Sequence, residues 1–122
     1  MVIPTVQFPG TEIVKKPVEI VTAETYTDSV SRLFPLERKA ADSILKSFNQ
    51  TPSTGNDQLL NGIGTGTCLA RFRNGLFIIY QIHVVSNHFD QSSHKQVKAL
   101  FCWRSENRNG VETISFPEWA GA

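Results

Sequence analysis

Apolar positions along the chain change period twice, and the changes divide it into elements. After the alternating run Pro17 to Val21, Tyr26, Val30 and Leu33 recur at spacings of four and three, the mark of one helical stripe. Thr22 or Thr25 is placed to cap that helix. Pro35 suits a first helical turn, and Leu36, Ala40, Ile44, Leu45 and Phe48 then line one face of a second helix. Glu37, Arg38, Asp42 and Lys46 form its polar face, and the segment 49–56, rich in Asn, Thr, Ser and Gly, ends it. From residue 67 the period becomes two, predicting strands over 67–73, 76–85 and 96–104, with a polar loop over 86–94. Strand, two helices, then three strands predict an α+β domain with both helices on one face of a small antiparallel sheet.

The stretch LARFRNGLFIIYQIHV, Leu69 to Val84, sets which residues share a face. Asn-Gly marks a hairpin at Asn74-Gly75, and two turn lengths compete there. A two-residue turn pairs Arg73 with Leu76 and sends Arg71 toward the helices. A three-residue turn pairs Phe72 with Leu76 and gathers Cys68, Ala70, Phe72, Leu76, Ile78, Tyr80, Ile82 and Val84 on the core side. Burying an unpaired arginine costs several kcal/mol by order of magnitude, so the longer turn is expected. In the last strand Val97, Ala99, Phe101 and Trp103 then face the core. The other face would carry Arg71, Phe77, Gln81, His83, Lys98 and Arg104, with Arg73 at its rim.

Composition narrows the partners. The 122 residues carry 12 Lys and Arg against 11 Asp and Glu, so any polyanion would need a local basic face. Cys68 and Cys102 are too few for a disulfide framework and fit no zinc spacing. The N-terminal segment lacks the basic and apolar regions of a signal peptide, and no stretch approaches the ~18 apolar residues of a membrane span. The expected location is therefore the cytoplasm, with no membrane partner. Residues 1–16, with Pro4, Pro9 and Gly10, are expected as an extended arm, 17–108 as the domain and 109–122 as a tail.

The element order, with the phrases LLNGIGTGTCLARFRNGLFIIYQI and ALFCWRSENR, resembles the RelE/ParE superfamily of bacterial toxins, including its HigB branch. That resemblance implies a toxin restrained by a cognate protein antitoxin. In the RelE and HigB branches it implies binding to the ribosome and cutting of mRNA; in the ParE branch, poisoning of DNA gyrase. Arg71 matches a basic residue on the strand before the turn, and Arg104 matches the arginine closing the last strand. Leu69 and Phe77 stand where the family often carries basic residues, and no Tyr or His follows Arg104.

Cleavage through a 2′-hydroxyl requires a base, an acid and cations for the phosphorane. Arg71, His83, Arg104 and Glu106 are the candidate catalytic residues on those grounds, the imidazole and the carboxylate as proton carriers. Arg73, Phe77, Gln81, Lys98 and Arg108 are the candidate RNA contacts. His88 and His94 lack a third ligand, so neither a metal nor another cofactor is expected. NGIGTGT lacks the Lys-Ser/Thr ending of a phosphate loop and is read as a flexible lead into a strand. The competing reading is a non-catalytic protein-interaction module, gyrase-type binder or inhibitor, that uses Phe77 with the tail aromatics Phe116 and Trp119.

Overall fold

The computed structural model describes residues 18–61 and 67–121. The N-terminal arm and most of the glycine-rich lead lie outside these residues. β1 (Glu19–Thr22) is followed by α1 (Glu24–Ser31), α2 (Pro35–Ser47), β2 (Gln58–Leu60), β3 (Cys68–Arg73), β4 (Leu76–Asn87) and β5 (Ser92–Arg104). A small hairpin, β6 (Glu106–Arg108) with β7 (Val111–Thr113), and a 3-10 helix at Glu118–Gly121 complete the chain. Five strands form one sheet in the order β1-β5-β4-β3-β2, with β1 parallel to β5 and the other neighbours antiparallel. The α+β class and the two helices on one sheet face agree with the sequence.

The hairpin register does not. Arg73 pairs with Leu76 and Phe72 with Phe77, across a two-residue turn at Asn74 and Gly75. Both turn residues have positive φ, 56° and 75°, the geometry that matches the strand twist and that Asn-Gly adopts most readily. Leu69 and Arg71 therefore face the helices with Leu76, Ile78 and Tyr80, whereas Cys68, Ala70, Phe72, Phe77 and Ile79 face the other way.

A second correction lies in β5. The register slips between Ile79 and Tyr80, which pair with Phe101 and Ala99, so Leu100 is the extra residue of a bulge. Val97 and Ala99 face the helices as expected; past the bulge Cys102 and Arg104 do, and Phe101 and Trp103 pass to the second face. Helix α1 satisfies the disrupted ladder. Thr25 Oγ1 donates to the Leu100 carbonyl, Cys102 N–H donates to Ser29 Oγ at 3.0 Å, and Ala23 N–H donates to the Ala99 carbonyl at 2.9 Å. Neither threonine caps α1; Ala23 occupies that position, and Thr25 serves the bulge instead.

The core on the helix side gathers Tyr26, Leu33, Ala41, Ile44 and Phe48 against Leu76, Ile78, Tyr80, Val97, Ala99 and Cys102. Leu36, expected in that stripe, is exposed. α2 begins with Phe34 N–H donating to Glu37 Oε1 at 2.9 Å and Pro35 in its first turn, where a missing N–H costs nothing. The expected loop 86–94 shrinks to the connection after Asn87, because β4 and β5 stay paired as far as Asn87 and Ser92. A second apolar cluster, Cys68, Phe77, Ile79 and Phe101, lies on the other face under Ile114, Trp119 and Ala120 of the tail.

Candidate functional site

Arg71 is the most constrained cation among the described residues. Its side chain is 8% exposed and that of Asp57 4%, and their nearest approach is Nη2 to Oδ2 at 3.0 Å. The same guanidinium donates from Nε to Asp57 Oδ1 at 3.3 Å, from Nη1 to Ser47 Oγ at 3.1 Å and from Nη2 to the Thr51 carbonyl at 2.8 Å. Its Cζ lies 4.1 Å from the Phe48 ring centroid, which caps the plane that makes no hydrogen bonds. Asp57 in turn accepts from the Tyr80 hydroxyl, and from Thr54 N–H at 3.2 Å and Thr54 Oγ1 at 2.8 Å.

The cluster joins four parts of the chain, with the end of α2 supplying Ser47. β3 supplies Arg71, β4 supplies Tyr80, and the loop after α2 supplies Thr51, Thr54 and Asp57. Burial pushes the Asp57 carboxyl up, but the hydrogen bonds from Arg71, Tyr80 and Thr54 outweigh it and hold the group below the ordinary aspartate value. Burial and the adjacent Asp57 raise the Tyr80 phenol above its ordinary value. Beside the cluster opens a pocket of about 510 Å³, lined by Ser47, Gln50, Thr51, Asn56 and Phe72, with Arg71 and Asp57 in its wall and the exposed Arg73 at its margin.

The remaining expected site residues do not gather there. Arg104 lies on the helix side, its guanidinium bound to Glu37 through Nε to Oε2 and Nη2 to Oε1, both at 2.7 Å. Its Cζ is 4.6 Å from the Trp103 ring centroid and 5.0 Å from that of Phe34. Arg104 holds the Glu37 carboxyl below its usual range. His83 is on the opposite face, where its Nε2 lies 3.2 Å from Gln81 Oε1, and Lys98 pairs with Gln81 across the strands. Glu106 is in the β6–β7 hairpin and pairs with Arg108 at 3.3 Å. Phe77, expected on an open face, is buried, with the Phe116 ring 6.1 Å away. A single cationic face does not form: the corrected register turns Arg71 one way and His83 the other, and the β5 bulge turns Arg104 away from Lys98.

Sequence reasoning passed over Asp57, Ser47, Thr51 and Thr54. A signal was present. Asp57 is the sole carboxylate between Asp42 and Asp90, and a strand arginine turned toward a core requires one. Among the described residues no group of three or more His, Cys, Asp or Glu is arranged to hold a metal, and no helix is long and apolar enough to cross a membrane. The chain matches no family model, no curated protein and no solved structure.

Proposed function

We propose that this chain is a non-catalytic protein-binding module, an inhibitor or a gyrase-type binder, the latter being the activity that the resemblance to the ParE branch implies. One observation carries this reading. The two arginines that would stabilise a cleaved phosphate are engaged by carboxylates within the fold, Arg71 by Asp57 and Arg104 by Glu37, and they do not share a face with His83. A guanidinium holding two carboxylate oxygens offers less charge to a phosphorane, and an imidazole across the sheet cannot pass it a proton. Leu69 and Phe77, apolar where the family often has basic residues, agree with that reading. Phe34 and Leu36, large and exposed at the corner between the helices, supply apolar surface for a partner.

The ribonuclease reading keeps one supporting observation. The pocket beside Arg71 has the size of a small-molecule site and carries the exposed Arg73 at its margin. The two readings separate when the tagged full chain is expressed in a bacterial host and purified with and without nuclease treatment. A protein partner held in fixed stoichiometry after nuclease treatment supports the binding module. Ribosomes or RNA retained only without nuclease, and lost with Arg73→Ala, would overturn it.

A further inference from the structure

Three Asn-Gly pairs occur in the chain, at Asn61, Asn74 and Asn109, and the glycine of the first lies outside the described residues. The other two are near-twins in sequence, Arg-Asn-Gly-Leu and Arg-Asn-Gly-Val. They are near-twins in backbone too. Each closes a two-residue hairpin turn, Arg73 pairing with Leu76 and Arg108 with Val111, with φ of 56° and 75° at the first and 54° and 81° at the second. All four turn residues are exposed, and no atom lies within 4 Å of where a Cβ would stand on either glycine. What separates the two turns is the glycine N–H. Gly110 N–H donates to Asn107 Oδ1 at 3.1 Å. Among the described residues the Gly75 N–H and the Asn74 side chain make no hydrogen bond. That turn is anchored one peptide further on, where Ser105 N–H donates to the Gly75 carbonyl at 2.8 Å.

We propose that Asn74-Gly75 is a site of spontaneous modification, at which Asn74 closes to a cyclic imide and reopens as aspartate or isoaspartate, while Asn107 holds back the matching turn at Asn109. The Gly75 nitrogen gives up its proton to hydroxide and attacks Asn74 Cγ; the new C–N bond forms as the side-chain amide nitrogen leaves as ammonia. Water then opens the ring. Addition at Cγ restores the ordinary chain as aspartate, and addition at the Asn74 backbone carbonyl carbon reroutes the chain through the side chain as isoaspartate. The net change takes one amide and one water to one carboxylate and one ammonium, with no redox partner. The imide needs the Asn74–Gly75 peptide turned over, which converts the I′ turn to II′: φ stays positive at Asn74 and changes sign at Gly75. Glycine takes either sign freely, and turning that peptide leaves the Ser105 bond to the next one in place. The same turnover at Asn109 breaks the bond from Gly110 to Asn107. Isoaspartate adds a backbone atom to a turn of two residues, directly beside the rung that joins exposed Arg73 to the buried Leu76. The hairpin that carries Arg71 is thereby loosened as the chain ages.

The test incubates the folded full chain at mildly alkaline pH and follows each asparagine over time by mass spectrometry, with fragmentation that separates isoaspartate from aspartate. Native wild type should convert first at Asn74, and Asn109 should lag by roughly two- to tenfold, the worth of one hydrogen bond. In urea the two should convert alike. Asn107→Ala should bring native Asn109 up to the rate of Asn74, whereas Asn107→Asp, which keeps an acceptor, should leave it slow. The isoaspartate-rich fraction, one negative charge richer and separable by ion exchange, should unfold at a lower urea concentration than the unconverted chain. Equal native rates at Asn74 and Asn109, a slower Asn74, or an Asn109 rate that neither variant distinguishes would overturn the proposal. So would an isoaspartate fraction as stable as the unconverted chain, since the modification would then leave the hairpin untouched.

Discussion

Replacing Asp57 with alanine should be the most damaging single change at the polar cluster. The substitution removes five accepted hydrogen bonds and strands the Arg71 guanidinium, whose side chain is 8% exposed. Removing one partner of a buried ion pair costs about 3–5 kcal/mol, because the survivor stays desolvated without compensation. Here the Ser47 hydroxyl and the Thr51 carbonyl remain bound to Arg71, and water can enter through the adjoining pocket, so the low end, about 3 kcal/mol, is expected. For a domain of this size that corresponds to a fall in Tm of roughly 10–15 °C.

Urea unfolding should show a lower midpoint with an unchanged slope. Arg71→Met alone should also destabilise, and the double variant should recover about 1–3 kcal/mol relative to the sum, since the two groups cancel each other's burial. The pH dependence has a fixed sign. Asp57 is held below its ordinary value in the folded state, so its contribution is full above the unfolded pKa of about 4 and is lost as pH falls through the folded value. The gap between wild type and Asp57→Ala should therefore be flat from neutral pH down to about 5 and close in stronger acid. A loss below about 1 kcal/mol at pH 7, or a double variant that is simply additive, would refute the assignment of Arg71 as a latched structural cation.

Tyr80→Phe deletes the hydroxyl bound to Asp57 but keeps the ring packed at a tilt against Phe48, 4.5 Å between centroids, and should cost about 1–2 kcal/mol by chemical denaturation. Gly75→Ala meets no atom within 4 Å, so its expected cost of about 1–2 kcal/mol comes from the positive φ alone. Gly75→Asn, which tolerates that conformation, should recover most of it. Burial raises the Cys102 thiol to about 12, and Cys68 is buried too, so a thiol reagent at pH 8 should label neither in the native chain and both in urea.

The helices were legible because Tyr26, Leu33, Ile44 and Phe48 repeat with a helical period that burial preserves. The hairpin was legible in place but not in register. Local turn chemistry at Asn74-Gly75 favoured the short turn, and the argument against burying Arg71 overrode it because the partner, Asp57, sits fourteen residues away in a loop with no periodic pattern. Periodicity also fails across the Leu100 bulge, where one inserted residue exchanges the faces of Phe101 and Cys102. The bulge depends on Thr25 and Ser29, over seventy residues earlier in the chain, and local pattern cannot register that. The tail's seat on Phe77 is likewise a tertiary fact. Its aromatic residues were visible, and their target was not.

The most direct test of the binding module is to express wild type and Arg73→Ala in a bacterial host, map the ends of cellular mRNA, and follow growth. With Arg71 and Arg104 engaged inside the fold, wild type should produce no new mRNA ends, whether or not growth slows. New ends that appear on induction with wild type and vanish with Arg73→Ala would contradict the module and make the pocket beside Arg71 a cleavage site.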